Sequence, residues 1–261
     1  IVNSFTYYNL LDDPRFVFFD NYLRLLTRDD VFLIALQNTL VFAAIIGPGS
    51  FLLCFGIGWL LNDLSDRLRP LYVLIFYSPA ISGSVVVIFA VLFSGDAYGY
   101  VNGLLIHFGF IRDPIQWLAD PAYLPSIVVL CSLWSSMGAG FLGFVAGFKT
   151  LDKQYYEAGA IDGVGNRWQE LWYVTLPLMR PQLMFGAVMS ITGCFSVGAV
   201  GTALAGFPST DYSAHTIVNH IFDYGYIRYE MGYASAIAVV LFCLMVGTNK
   251  AVNRLLRRVG E

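Results

Sequence analysis

Charge is what this sequence has least of. Only 13% of its 261 residues are Asp, Glu, Lys or Arg, whereas 57% are hydrophobic and the mean hydropathy is +0.64. A soluble domain carries about a quarter charged residues. So apolar a chain would have to hide more surface than one water-facing core permits, and a bilayer is the simpler solvent. Cysteine is scarce too. Cys54, Cys131, Cys194 and Cys243 fall in separate apolar segments without CxxC spacing, which argues against a disulfide framework or a thiolate metal site and reads as small buried apolar residues. His107, His215 and His220 form no HExxH, and there is no GxSxG or defensible acid pair, so a membrane enzyme is disfavoured. His215 and His220, five apart, lack a matching carboxylate pair, and a metal site is not expected. No basic run suggests nucleic acid. No GxxxxGK[ST] is present; the nearest approach, Gly147-Phe148-Lys149-Thr150, has Phe148 where glycine is required.

What is present is a series of charge-free windows. Residues 31–62, 70–95, 121–148, 181–210 and 231–249 contain no Asp, Glu, Lys or Arg. About 20 apolar residues cross a bilayer as a helix, so each window qualifies as a span. Residues 97–111 are too few to span and read as a short helix at the interface or dipping into protein. Residues 1–30 mix aromatics with charges, as suits a membrane interface. The spans also carry small and polar residues such as Ser78, Ser82, Ser84, Ser132, Ser190 and Ser196, which serve close helix packing or a polar path. With no charge inside a span, proton relays and ion-coupled carriers are disfavoured. A channel or secondary carrier would want internal repeats or broken helices, and only Pro48 and Pro79 offer possible breaks.

Lys and Arg placement sets the orientation. One side holds Arg67, Arg69, Lys149, Lys153, Arg167, Arg180, Lys250, Arg254, Arg257 and Arg258, against Arg15, Arg24, Arg28, Arg112 and Arg228 on the other. The positive-inside rule makes the first side cytoplasmic. Residues 1–30 then lie outside, which predicts one more span upstream of Ile1: five transmembrane helices of an expected six, with a five-span chain as the alternative. The domain reading is an extracytoplasmic segment over 1–30, a membrane domain over 31–256 with a cytoplasmic hairpin at 151–180, and a cytoplasmic tail over 257–261.

That hairpin is too long and too structured for a mere connector. Leu151, Tyr155, Ala158 and Ile161 follow helical spacing, as do Trp168, Leu171, Trp172 and Thr175, with Gly163 and Gly165 between the two runs. Two short helices meeting at a glycine-permitted bend are expected. Ala158, Gly159 and Ala160 keep the first helix slim, and Glu157 and Asp162 offer carboxylates to a basic partner. Leu176-Pro177 disturbs the second helix before membrane re-entry.

The stretch resembles the EAA loop of ABC importer permeases: Glu157-Ala158-Gly159, then Gly163, then Val174-Thr175-Leu176-Pro177. It departs twice: Gly159 replaces the second alanine, and the run from Gly163 to Val174 is one residue longer than the pattern. FSGDAYGYVNGLL (93–105), PIQWLADP (114–121), Trp134 and MGYASAIA (231–238) resemble landmarks of the sugar-importing branch, the relatives of maltose and glycerol-phosphate permeases. The resemblance implies an all-α polytopic membrane protein with a type I ABC importer permease-like bundle in a bacterial-type plasma membrane. It implies a permease for an oligosaccharide or other carbohydrate, not an enzyme. It implies coupling through Glu157, Ala158, Gly159, Asp162, Gly163, Leu176 and Pro177, and a substrate path drawing on Ser82, Ser84, Trp134, Ser190 and Ser196, whose aromatic face and hydroxyls suit sugar rings. No cofactor is expected on this chain. ATP and Mg would act on two separate ATP-binding subunits, beside a second homologous permease, a solute-binding protein and membrane lipid. A secondary carrier or channel is the alternative.

Overall fold

A computed structural model describes residues 1–256; the expected tail at 257–261 lies outside the described residues. Within 1–256 the regular structure is helical apart from one small hairpin, in which β1 (Thr6–Tyr7) pairs antiparallel with β2 (Arg15–Phe16). The helices are α1 (Asp20–Thr27), α2 (Asp30–Asn62), α3 (Arg69–Ser82), α4 (Val85–Leu92), α5 (Tyr100–His107), α6 (Leu124–Ser135) and α7 (Ala139–Thr150). They continue with α8 (Lys153–Ile161), α9 (Arg167–Glu170), a π-turn (Leu171–Thr175), α10 (Leu176–Leu178), α11 (Arg180–Phe195), α12 (Gly198–Ala205), α13 (Ile217–Phe222) and α14 (Met231–Leu256).

Among the described residues, only α2 and α14 are long and apolar enough to cross a membrane unaided; three further pairs, α3–α4, α6–α7 and α11–α12, qualify only together, each bent at its break. The five expected spans are thus two unbroken helices and three bent pairs. Of the two prolines named as possible breaks, Pro48 interrupts nothing. It sits inside α2 between Gly47 and Gly49, and Ser50 Oγ donates to the Gly47 carbonyl at 3.1 Å. Gly49 faces Leu133, whose Cδ2 would lie 3.0 Å from a Cβ there. Pro79 lies in the last turn of α3, but the chain turns later, at Gly83, whose φ of +60° is left-handed. The other breaks, at 136–138 and 196–197, have no proline.

The chain forms two compact units. One comprises 1–46, 84–132 and 194–246, the other 47–83, 133–193 and 247–256. In the first unit Leu25, Phe32, Ile217, Tyr224, Tyr233 and Ile237 form a core. Asn102, fully buried, organises another part of it. Its Nδ2 donates to the carbonyls of Ser94, Asp96 and Ile115, and its Oδ1 accepts from the Ile115 N–H and from Trp117 Nε1 at 2.8 Å. The landmark strings at 93–105 and 114–121 are thereby one knot around a single amide. The short helix expected in 97–111 is α5, and Asn102 lies on it.

In the second unit Phe55, Phe141, Phe144, Phe148, Met179 and Leu183 form the core, with Phe144 edge-on to Phe51 and Phe55 at 5.5 Å. A side chain at Gly186 would strike the Phe144 ring at 2.2 Å. Here smallness serves packing, since α11 meets α7 closer than any Cβ allows.

Candidate functional site

The hairpin belongs to the second unit and can be built from its local rules. Asp152 caps α8, accepting from the Gln154 N–H at 3.0 Å. At the other end the Val164 N–H reaches the Gly159 carbonyl at 2.9 Å and the Gly163 N–H the Ala160 carbonyl at 3.3 Å. This pair of bonds is a Schellman closure, which needs a left-handed residue at its centre. Gly163, with φ +93°, supplies it. Asn166 then starts α9 by accepting from the Gln169 N–H at 2.9 Å, while Gln169 Oε1 accepts from the Gly165 N–H at 2.9 Å. The expected bend between two short helices is present, and its chemistry is a C-cap followed by an N-cap.

Both departures from the EAA pattern have structural reasons. A Cβ on Gly159 would stand 3.1 Å from Val174 Cγ2, so glycine lets the two helices approach more closely than alanine would. The extra residue between Gly163 and Val174 coincides with the π-turn Leu171–Thr175. A π-turn holds one residue more than an α-turn, so it absorbs an insertion without rotating the chain beyond it. Tyr156 Oη and Thr175 Oγ1, 3.2 Å apart, join the helices again, and Leu171 and Met179 root the second one in the phenylalanine core.

Among the residues expected to couple, Glu157, Ala158, Asp162 and Gly163 are exposed, whereas Gly159, Leu176 and Pro177 are half-buried. Ile161 beside them is 87% exposed. Glu157 lines a cleft of about 700 Å³ together with Trp59, Asp63, Arg69, Lys153 and Glu170. Gly159, Asp162 and Gly163 line a smaller hollow of about 370 Å³.

The cleft wall contains residues that spacing alone did not single out. The Arg167 guanidinium lies 4.6 Å from the centre of the Trp59 ring and forms an ion pair with Asp63. Trp168 packs against the same indole at 5.3 Å. Arg69 donates to the carbonyls of Leu61, Asn62 and Leu64, closing the C-terminal end of α2. Trp59 and Asp63 stand four apart at a helix end, a signal available in the sequence. Their partner Arg167 comes from a distant segment and is not.

Of the residues expected on a substrate path, Ser82, Ser84, Trp134 and Ser196 are exposed and Ser190 is half-buried. Ser82 ends α3, Ser84 immediately precedes α4, Trp134 lies in the last turn of α6 and Ser196 lies between α11 and α12. Four of the five thus mark the breaks in the bent pairs.

The first unit holds a polar network of its own. Asp29 accepts from Tyr233 Oη at 2.7 Å and from the Phe32 N–H at 2.9 Å, and lies 3.0 Å from His220 Nε2, whose Nδ1 is 3.2 Å from His215 Nε2. Burial would raise the Asp29 carboxyl, but its bonds to His220, Tyr233 and Phe32 outweigh it and hold the group well below the usual range. Burial, and then the neighbouring His220, push His215 down to about 4. Among the described residues no three His, Cys, Asp or Glu side chains form a group suited to a metal.

Comparison with known proteins bears on both units. A family described as "Binding-protein-dependent transport system inner membrane component" matches residues 55–260. The lactose transport system permease protein LacF of Rhizobium radiobacter is 31% identical over 170 residues, covering 64% of this chain and 56% of that one. The chain thus spans little more than half of that permease's length. The arabinooligosaccharides transport system permease protein AraP of Bacillus subtilis is 28% identical over 240 residues, 90% of this chain and 74% of that one. In fold, the chain is similar to a bacterial ABC transporter involved in the import of the acidic polysaccharide alginate. The TM-score is 0.79 at 23% identity, covering 94% of this chain and 85% of that one.

Proposed function

The chain belongs to the binding-protein-dependent transport system inner membrane components, multi-pass proteins of the bacterial inner membrane, and from that premise we propose that it is the permease subunit of an ATP-driven importer of oligosaccharides or related carbohydrates. The carbohydrate class rests on the relatives, whose names specify lactose and arabinooligosaccharides. The observation that carries the mechanism is the hairpin 151–180: a slim exposed helix, α8, carrying Glu157 and Asp162 and closed by the Schellman turn at Gly163. Such a face suits docking against a separate ATPase. Two ATP-binding subunits, a second homologous permease and an extracytoplasmic solute-binding protein complete the assembly. ATP and Mg act on the partners, and this chain catalyses no reaction of its own. Energy then reaches the spans only through a contact that differs between two states. The breaks marked by Ser82, Ser84, Trp134 and Ser196, with Ser190, supply hydroxyls and an aromatic face for a sugar path.

The test is isolation of the intact complex followed by uptake of radiolabelled lactose, arabino-oligosaccharides and alginate oligosaccharides. Co-purification of ATPase subunits, and uptake of one of these sugars that Glu157→Lys lowers at least tenfold, is the expected result. No ATPase in the complex, together with unimpaired uptake by Glu157→Lys, refutes the reading.

A further inference from the structure

The Trp59–Asp63–Arg167 cluster lines the same cleft as Glu157 but bridges two segments of the chain. It joins the hairpin to the last turn of α2, an unbroken helix from Asp30 to Asn62. On the hairpin side, the attachment stands at the first residue of α9, directly after the turn through Gly163, Gly165 and Asn166. A turn with two glycines is soft, so a push on α8 could be spent there as bending. On the α2 side, Arg69 fixes the helix end by three carbonyl bonds, giving the attachment a stiff anchor. Arg167 makes two contacts at once, with the Asp63 carboxylate and the Trp59 face. A planar guanidinium stacks on an indole while pairing its edge with a carboxylate, a geometry a lysine ammonium fits less well. The ion pair is 50% exposed on both sides, so it contributes little to stability. Leu171 and Met179, buried in the phenylalanine core, hold the second helix in place.

We infer that Arg167 is a positioning residue, clamping the hairpin to the end of α2 through Asp63 and Trp59 so that displacement of the hairpin is delivered to that helix and not absorbed in the glycine turn. The inference rests on the hairpin being the coupling element proposed above. If the clamp holds, α8 and the end of α2 move as one body through the ATPase cycle. If it is cut, they move separately.

The experiment measures one separation in the assembled complex in lipid. Spin labels are placed at Leu60→Cys and Tyr155→Cys in a Cys243→Ser background, and pulsed EPR distances are recorded without nucleotide and with Mg-ATP plus vanadate. With Arg167 intact, one narrow distance common to both states is expected. Arg167→Gln should broaden the distribution at least twofold and make the two states differ; Arg167→Lys should fall between. The exchanged pair Asp63→Arg with Arg167→Asp, which restores the ion pair but not the stacking on Trp59, should likewise fall between. A distance that already differs between states with Arg167 intact, or an unchanged width in Arg167→Gln, overturns the clamp. Absence of ATPase from the purified wild-type complex would instead overturn the coupling reading, so the two failures are distinct.

Discussion

Both ends of α2 are tied to distant stretches of chain, and the two ties use opposite chemistry. At the N-terminal end, Asp29 is buried and holds Tyr233, His220 and the Phe32 N–H. At the C-terminal end, Asp63 is half-exposed, pairs with Arg167, and shares it with the face of Trp59. A buried carboxylate with several donors is costly to disrupt, because each abandoned partner loses its hydration as well as its bond. A half-exposed ion pair contributes less than about 1 kcal/mol. The first tie therefore suits a fixed joint, and the second suits a contact that sets geometry without locking it. The same contrast runs through the surroundings. The Asp29 region packs so closely that a Cβ on Gly232 would meet the Thr6 carbonyl oxygen at 2.0 Å. The hairpin, by comparison, exposes most of α8.

The sharpest way to break the contrast is Asp29→Ala. Stripping Tyr233 and His220 of their acceptor should destabilise the protein by about 3 kcal/mol, read as a lowered thermal unfolding midpoint in detergent. An unchanged midpoint would show that the buried joint carries no more than the exposed one. Gly163→Val comes next. A β-branched side chain at φ +93° costs about 1–2 kcal/mol locally. Uptake should fall by about the corresponding tenfold, while the unfolding midpoint barely moves.

A third prediction is acid sensitivity of the Asp29 region. The folded His215 imidazole titrates near 4, against about 6.5 when unfolded. The unfolded chain therefore takes the proton first. The stability that His215 contributes by staying neutral is complete above about pH 6.5 and is lost as pH falls towards 4. Asp29, whose pKa is lowered on folding, adds a further loss only below about pH 4, where the unfolded carboxyl protonates. Unfolding followed from pH 7 to pH 4 should show the first loss, and His215→Phe should flatten it. The smallest effect is expected from Gly159→Ala. Its Cβ would sit 3.1 Å from Val174 Cγ2, a contact relieved by a shift of a few tenths of an ångström. The cost should be below about 1 kcal/mol, and uptake should change no more than about twofold.

The hairpin was legible because its signals are local. Helical spacing around Ala158 and Trp168, glycine at 163 and Leu-Pro at 176–177 each act within a turn or two, and the structure places two short helices and a left-handed glycine there. The spans were legible as windows, because lack of charge is a composition property. Their breaks were not. Pro48 lies within an unbroken helix, while 136–138 and 196–197 break without any proline. The landmark strings were readable as family resemblance but not as physics; only the fold shows Asn102 gathering five backbone and indole groups, or Gly232 yielding to Thr6.

By itself, then, the sequence determined the solvent, the helical class and the place and form of the hairpin, since hydropathy, periodicity and turn chemistry act over short separations. Tertiary structure alone decided which polar residues meet. Asp29 finds His220 and Tyr233, and Asp63 finds Arg167, across long loops of chain. No spacing rule encodes such meetings, because they depend on how the helices pack and not on where the residues stand in line.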